Sequence, residues 1–298
     1  MRLDRLITLG LVHPIHRAAV GPRCRAASLP ILMYHSISEA SDHNVSPYYL
    51  TATRPSVFAE HMSLLHDGAY RVVSLSDGLT DFQSGHTNDQ KTVVLTFDDG
   101  LRDFYTNAFP LLQEYGQSAS VFLPTGFIGD PRGRFKDQEC MTWEEVREIH
   151  AAGIEIGSHT VSHPQLYELG LGEIRAELAD SKATIEDKLG GPCVSFAYPY
   201  AFPDADRSFV RRFCDVAAEM GYRYCVTTAL GRVKPGDDVY RLKRLPANSS
   251  DDLALFRAKL EGCYDWLAGP QRVFKNWKFL GLRSSVFHPR SVTSVSLW

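Results

Sequence analysis

The sequence predicts an α/β protein built on a parallel sheet or barrel. Apolar runs of four to six residues alternate, from about residue 31 to residue 266, with longer stretches whose apolar residues recur at helical spacing, the pattern of repeated βαβ units. A chain of 298 residues with 44% hydrophobic and 22% charged content can bury one full core undivided, since α/β barrels run to roughly 250 residues as single domains. Start and stop residues also stand where the alternation needs them.

Seven strands are expected, at Ile31–His35, Thr92–Phe97, Ala119–Leu123, Ile154–Ser158, Val194–Tyr198, Tyr224–Thr228 and Tyr240–Leu245. Each is a short run bounded by polar or turn-forming residues, as buried parallel strands are. Helices are expected between them, at about Pro55–His66, Leu101–Tyr115, Trp143–Ala152, Leu171–Leu189, Ala205–Met220 and Asp252–Trp266. Thr142 precedes Trp143 with Glu145 three residues on, which is a capping-box spacing. Gly153 and Gly190 follow their helices where a left-handed terminator belongs. No internal repeat or low-complexity tract interrupts the pattern.

Two flanks fall outside it. Residues 1–30 read as a leader whose apolar run, Leu6 to Val12, is cut by His13 and Pro14 and preceded by Asp4. That is the lower limit of a signal-peptide core, so a cytoplasmic or membrane-peripheral location is favoured over export. Residues 267–298 form a basic tail, with Arg272, Lys275, Lys278, Arg283 and Arg290, no acidic residue, and Phe274, Trp277, Phe279 and Leu280 interleaved. A solvated tail is the plain reading, and contact with a membrane surface the sharper one. A net charge of −3 gives no global field that would recruit nucleic acid, and no apolar stretch approaches the roughly 20 residues of a membrane-spanning helix. The six cysteines, at 24, 140, 193, 214, 225 and 263, stand singly and read as core or surface thiols rather than a zinc knuckle. His43, His61, His66, His86 and His150, on expected loops and helix surfaces, read as structural or solvated.

The chemistry sits at strand ends. Thr96-Phe97-Asp98-Asp99-Gly100 places two carboxylates at the C-terminal end of a strand, the edge where parallel α/β folds assemble their sites. Gly100 lets the chain turn sharply there, although one Asp could simply cap the next helix. A second strand ends in His159-Thr160-Val161-Ser162-His163, whose imidazoles, four residues apart, can share one face of a turn. Joined to an acidic strand end, they supply a two-histidine, one-carboxylate set that binds a divalent metal and leaves positions open for water and substrate. A third strand ends in Phe196-Ala197-Tyr198-Pro199-Tyr200, where the N–H after the proline turn could serve as an oxyanion donor and Tyr200 could wall a sugar groove.

TFDDG, HTVSH and FAYPY, in this order and with these gaps, resemble the NodB homology domain of carbohydrate esterase family four, the polysaccharide deacetylases. The resemblance covers roughly residues 31–266. It implies a distorted (β/α) barrel of about seven parallel strands and hydrolysis of N-acetyl groups from amino sugars of a glycan. It further implies that Asp99, His159 and His163 bind the metal, most often zinc with cobalt, nickel or manganese as alternatives, and that Asp98 is the general base. Ile31-Leu32-Met33-Tyr34-His35 at the first strand resembles the circularly rearranged branch found in exopolysaccharide-modifying enzymes, which makes His35 the expected general acid. The competing reading of His35 is a core histidine at a strand end. The family commonly has an arginine where this chain has Ala197, and Arg244, near the end of the last strand, is the candidate to orient Asp98 in its place. Trp143 reads as packing.

Two other functions fit the same residues. One is a metal-dependent amidohydrolase acting on a lipid-linked sugar or small amide. The other is a catalytically silent glycan-binding protein, for which the missing arginine is the only support.

Overall fold

A computed structural model describes residues 2–19, 28–39, 50–84 and 91–274. Eight parallel strands form its main sheet, here β1 (Ile31–Tyr34), β2 (Arg71–Val73), β3 (Thr92–Phe97), β4 (Ser120–Leu123), β5 (Glu155–Ser158), β6 (Ser195–Ala197), β7 (Tyr224–Leu230) and β8 (Leu242–Pro246). Seven of them close a ring in the order β3, β1, β8, β7, β6, β5, β4 and back to β3. Val94 of β3 pairs with Ile31 of β1 on one edge and Val73 of β2 on the other. Thr96 and Phe97 pair with Ser120 and Val121 of β4. The short β2 therefore occupies the lower half of the β3 edge that β4 takes over higher up. All seven expected strands are present.

These strands are continuous apolar runs because both faces are covered, as parallel barrels require. Val93, Val94, Leu95 and Phe97 are wholly buried. On one side Tyr34 stacks on Phe97 at 5.3 Å and meets Phe58 edge-on at 5.4 Å. On the other, Tyr198 packs against Phe202 and Phe213 at 4.8 and 5.2 Å. Each buried ring contributes roughly 1.5–3 kcal/mol. Because Tyr34 and Phe97 immediately precede His35 and Asp98, and Tyr198 lies two residues before Tyr200, these clusters anchor the strand ends. At the opposite mouth the Glu155 carboxylate accepts from Ser76, Ser120 and Ser195 at 2.7–2.9 Å, tying β4, β5 and β6 together.

Helix Trp143–Ala151 starts with the expected capping box, Thr142 and Glu145 each bonding the other's backbone. Helix Leu171–Leu189 ends at Gly190 in the left-handed conformation, φ 69°. Helices Pro55–Asp67 and Arg207–Glu219 also stand where periodicity places them. The stretch expected as Leu101–Tyr115 is instead a π segment, Phe104–Ala108, followed by Phe109–Glu114, since Pro110 has no N–H for the preceding turn. Near the C-terminus the expected helix is split into Leu253–Leu260 and the 3₁₀ turn Asp265–Leu267 by Gly262 at φ 87°.

Three features were not expected from the sequence. β2 is only three residues long, too short for a periodicity signal. Helix Leu75–Gln83 follows it, capped by Ser74 accepting from Asp77 N–H. Within residues 1–30, a helix runs through Leu3–Ile7, a π segment Thr8–Val12 and His13–Ala19, and it docks on residues 251–266. Arg2 donates to Asp251 at 2.9 Å, Tyr264 to Asp4 at 2.5 Å and Trp266 to Thr8 at 3.0 Å. Residues 268–274 are helical, whereas Lys275 and the rest of the basic tail lie outside the described residues, as do Cys24, His43, His86 and His288. His61 is not on a surface: it is fully buried and stacks on Phe256 at 3.9 Å. Among the described residues no helix is long and apolar enough to cross a membrane.

Candidate active site

His35, Asp98, Asp99, His159, His163 and Tyr200 line one small pocket at the C-terminal mouth of the barrel, together with Lys136, Tyr198 and Thr228. They arrive there because β1, β3, β5 and β6 end at the same level and each motif begins where its strand stops. Adjacent residues on a strand face opposite ways, so Asp98 and Asp99 cannot share a site without a break. Asp99 itself supplies the break, with φ 71°, and Gly100 continues it at φ 58°. The histidine motif is likewise a loop and not a helical turn, with Thr160 at φ 71° and His163 at φ 53°. Tyr200, at φ 57°, is a further case. Left-handed non-glycine residues cost of order 1 kcal/mol each, and their gathering at one pocket marks a place where position outweighs local comfort.

The Asp99 carboxylate stands between the two histidines, Oδ1 lying 3.5 Å from His159 Nε2 and 3.3 Å from His163 Nε2. Oδ1 is buried and has no hydrogen-bond partner, and the three donor atoms lie within 4.8 Å of one another. These two imidazoles and one carboxylate are a donor set that could hold a divalent metal ion. The chain also fixes which ring nitrogen faces inward. His159 Nδ1 donates to the Ala197 carbonyl at 2.7 Å, leaving Nε2 as the free lone pair. Burial would raise the Asp99 carboxyl, but the His159 and His163 imidazoles beside it hold it well below the usual carboxylate range. Burial pushes His163 down, toward the neutral form that a metal ligand needs.

The loop is held from two sides that the sequence does not announce. Glu177, on helix Leu171–Leu189, accepts from the N–H groups of Val161 and Ser162 at 2.7 and 3.0 Å. Thr125 and Gly126 donate to the carbonyls of Thr160 and Val161 at 3.0 and 2.9 Å. Packing closes the shell, because His163 lies between the rings of Phe135 at 4.8 Å and Tyr200 at 4.6 Å.

Asp98 is held differently from Asp99. The wholly buried Arg244 forks onto both its oxygens at 2.7 Å and also donates to the Thr227 carbonyl and Thr96 hydroxyl at 3.0 and 3.1 Å. Burial would raise the Asp98 carboxyl, but Arg244 and His159 hold it below its ordinary value. Arg244 reaches Asp98 from β8, across β1, so it stands where the sequence comparison with Ala197 asks for a cation. His35 Nε2 lies 3.9 Å from Asp98 Oδ2, and burial lowers the imidazole to about 4 despite the two nearby aspartates. Lys136 was missed in the sequence. It stands at the tip of a hairpin, Arg134–Phe135 with Gln138–Glu139, its Nζ 3.9 Å from Asp99 Oδ2 and 5.6 Å from the Tyr200 ring centre. Lys136 and Asp137 both have positive φ, as a two-residue hairpin demands, but Lys-Asp is not the Asn-Gly or Asp-Gly signal that announces one.

A barrel with paired acids and a histidine loop at its C-terminal mouth gathers the groups that hydrolysis of an amide needs. A polysaccharide deacetylase profile matches residues 85–225, which include both aspartates, both histidines and Tyr200 and leave His35 and Arg244 to the flanking strands. YxkH of Bacillus subtilis (strain 168), a protein named for the same family, is 30% identical over 237 residues, covering 80% of this chain and 77% of that one. The poly-beta-1,6-N-acetyl-D-glucosamine N-deacetylase of Escherichia coli (strain K12) is 31% identical over 140 residues, 43% of this chain and 20% of that protein. Among solved structures, the Streptococcus pyogenes deacetylase PplD in complex with acetate superposes with a TM-score of 0.68 at 24% identity, over 79% of this chain and 99% of that one. The chain belongs to the polysaccharide deacetylase family, with the closed seven-stranded barrel that its sequence leads one to expect.

Proposed function

We propose that the chain hydrolyses N-acetyl groups from the amino sugars of a poly-N-acetylglucosamine-like glycan, with a divalent metal held by Asp99, His159 and His163. The observation that carries this is the division of labour between adjacent carboxylates: Asp99 turned to two imidazoles, Asp98 turned to Arg244 and His35. The name of the Escherichia coli relative supports the substrate class, and the donor set supports zinc, with cobalt, nickel and manganese as chemically acceptable substitutes. When bound, such an ion supplies Lewis acidity toward the amide carbonyl and lowers the pKa of a water.

The chain's own residues then do the proton work. Asp98, held ionised by Arg244, takes a proton from the attacking water as the new carbon–oxygen bond forms. His35, neutral at rest because it is buried, accepts the proton that Asp98 took from the water and passes it to the departing nitrogen, which leaves as an amine when the carbon–nitrogen bond breaks. Tyr200, following Pro199, walls the pocket beside His163, and its backbone N–H is the candidate donor to the oxyanion. Acetate release from N-acetylglucosamine oligomers by wild type and Asp98→Asn, with metal content measured in both, tests the reading. Loss of turnover with metal retained supports it; a metal-loaded wild type that releases no acetate overturns it.

One observation favours a second substrate class. An apolar cavity of about 310 Å³, lined by Met33, Leu230, Pro246, Leu267 and Phe274, shares His35 and Thr228 with the site and could take the lipid of a lipid-linked sugar. Comparing acetate release from free oligomers and lipid-linked sugars separates the two. For the tail, composition favours peripheral contact with an anionic membrane. Deleting residues 270–298 is expected to weaken binding to anionic vesicles, and unchanged binding removes that reading.

A further inference from the structure

We infer that the chain has a second metal site, formed by His13, Glu261 and Cys263, in which a zinc ion fastens the N-terminal helix to the end of the barrel. His13 Nε2 and Glu261 Oε2 are 3.1 Å apart, and Cys263 Sγ completes a set of three donors that all lie within 4.8 Å of one another. Tetrahedral zinc, with bonds of roughly 2.0–2.3 Å, sets its ligand atoms roughly 3.3–3.8 Å apart, so the trio needs only a small closure to bind. Nitrogen, carboxylate oxygen and thiolate sulfur together suit a borderline-soft ion better than magnesium or calcium. His13 and Glu261 are about one-fifth exposed while Cys263 is fully buried, which gives a sulfur-lined floor with an entry path.

The backbone is bent at both segments in the way this convergence requires. Residues five apart on an α-helix lie about 140° around the axis from each other, because each residue advances 100°. Thr8 and His13 would then face apart. The π segment Thr8–Val12, with the His13 N–H bonded to the Thr8 carbonyl, brings both to the domain side, where Thr8 receives Trp266 and His13 meets Glu261. On the other strand of the contact, Glu261 and Cys263 are two residues apart and would diverge on a helix. Gly262 at φ 87° folds them to the same side, and a side chain there would strike the Arg232 guanidinium at 1.7 Å. These two departures bring together donors, His13 and Glu261, that stand 248 residues apart in sequence.

Metal content and the spectrum of the cobalt-substituted full chain test this. A Cys–cobalt bond gives a near-ultraviolet charge-transfer band that the Asp99, His159, His163 set cannot produce. The wild type is expected to bind close to two equivalents of zinc. His13→Gln and Cys263→Ser should each bring it close to one, abolish the cobalt–thiolate band and leave acetate release in place. His13→Gln keeps a donor toward Glu261, so it reports on the metal even if Cys263→Ser folds poorly. A wild type with one equivalent that is lost on Asp99→Asn, or a band that survives Cys263→Ser, overturns the second site without touching the first. One equivalent that persists in Asp99→Asn and disappears in Cys263→Ser upholds the second site and removes the metal from the catalytic reading.

Discussion

Replacing Arg244 by alanine removes a guanidinium that is wholly buried and forks onto both oxygens of an equally buried carboxylate. Two unit charges about 4 Å apart interact by about 4 kcal/mol at an effective dielectric constant near 20, and stripping one partner from a buried pair costs about 3–5 kcal/mol of stability. For a chain of this size each kcal/mol is worth about 2–4 °C, so the melting temperature of Arg244→Ala should fall by roughly 6–20 °C. Activity should fall as well, and with a signature. In the native protein Asp98 is held below its ordinary pKa, so it serves as a base above that value and loses activity as the pH falls through it. Without Arg244 burial is opposed only by the His159 and His35 imidazoles, the carboxyl rises, and the acidic limb of kcat/KM moves to higher pH. Loss at pH 5.5 should exceed loss at pH 8. The stability defect has its own check, because Asp98→Asn in the Arg244→Ala background removes the orphaned charge and should restore part of the melting temperature. An Arg244→Ala protein with an unchanged melting temperature and a superimposable pH profile would refute the pairing argument.

Other perturbations read the site from different sides. A Cβ on Gly126 would sit 2.8 Å from the Val161 carbonyl, so Gly126→Ala should displace the histidine loop, lower metal occupancy and cost about 1–3 kcal/mol; wild-type metal content would contradict this. Glu177→Ala leaves the Val161 and Ser162 N–H groups without their acceptor and should weaken metal binding with little effect on Asp98, which metal titration beside a pH–rate profile can separate. Acid should destabilise the fold through His61, whose Nε2–H donates to the Asp251 carbonyl at 2.9 Å while Nδ1 accepts from the Tyr34 hydroxyl at 3.0 Å. Burial lowers this histidine, so its contribution is complete above the unfolded value of about 6.5 and is lost as pH falls toward its folded value. Chemical denaturation at pH 7 and pH 5 should therefore show a smaller difference for His61→Leu than for wild type, and equal differences would exclude the mechanism.

How much of this was legible beforehand follows from what kind of signal each element emits. The barrel strands were legible because each is a buried apolar run long enough to stand out from its surroundings, and Thr142, Glu145 and Gly190 marked helix ends by their own hydrogen-bonding chemistry. β2 was not, because three residues carry no period. The N-terminal helix was hidden for a different reason: Leu3, Leu6, Leu11 and Ile15 are exposed while Asp4 and Thr8 are buried, the reverse of the usual amphipathic rule, since the groove it fills is lined by Asp251, Tyr264 and Trp266. His61 was misplaced on the same grounds, as a polar residue whose two ring nitrogens are satisfied only by partners distant in sequence, Tyr34 and Asp251.

The candidate site divides along the same line. Asp98, Asp99, His159 and His163 could be named in advance because their neighbours in sequence repeat the strand-end pattern, whereas Glu177 and Lys136 act from a helix face and a hairpin tip that no local pattern connects to the site. Arg244 lies between. Its sequence neighbours, Arg241 and Lys243, pair with Asp238 and Asp237 near the surface, so nothing local distinguishes it from them. What singled it out was a vacancy elsewhere, at Ala197, together with its place near the end of the last strand, from which it could reach the site. In the fold the two observations become one: Ala197 offers its carbonyl to His159 while Arg244, coming from β8, takes Asp98. The cation that the family resemblance leads one to expect at position 197 is thus supplied to the Asp98 carboxylate from β8, and what the fold holds fixed is a charge at that point in space and not the motif in which it is written.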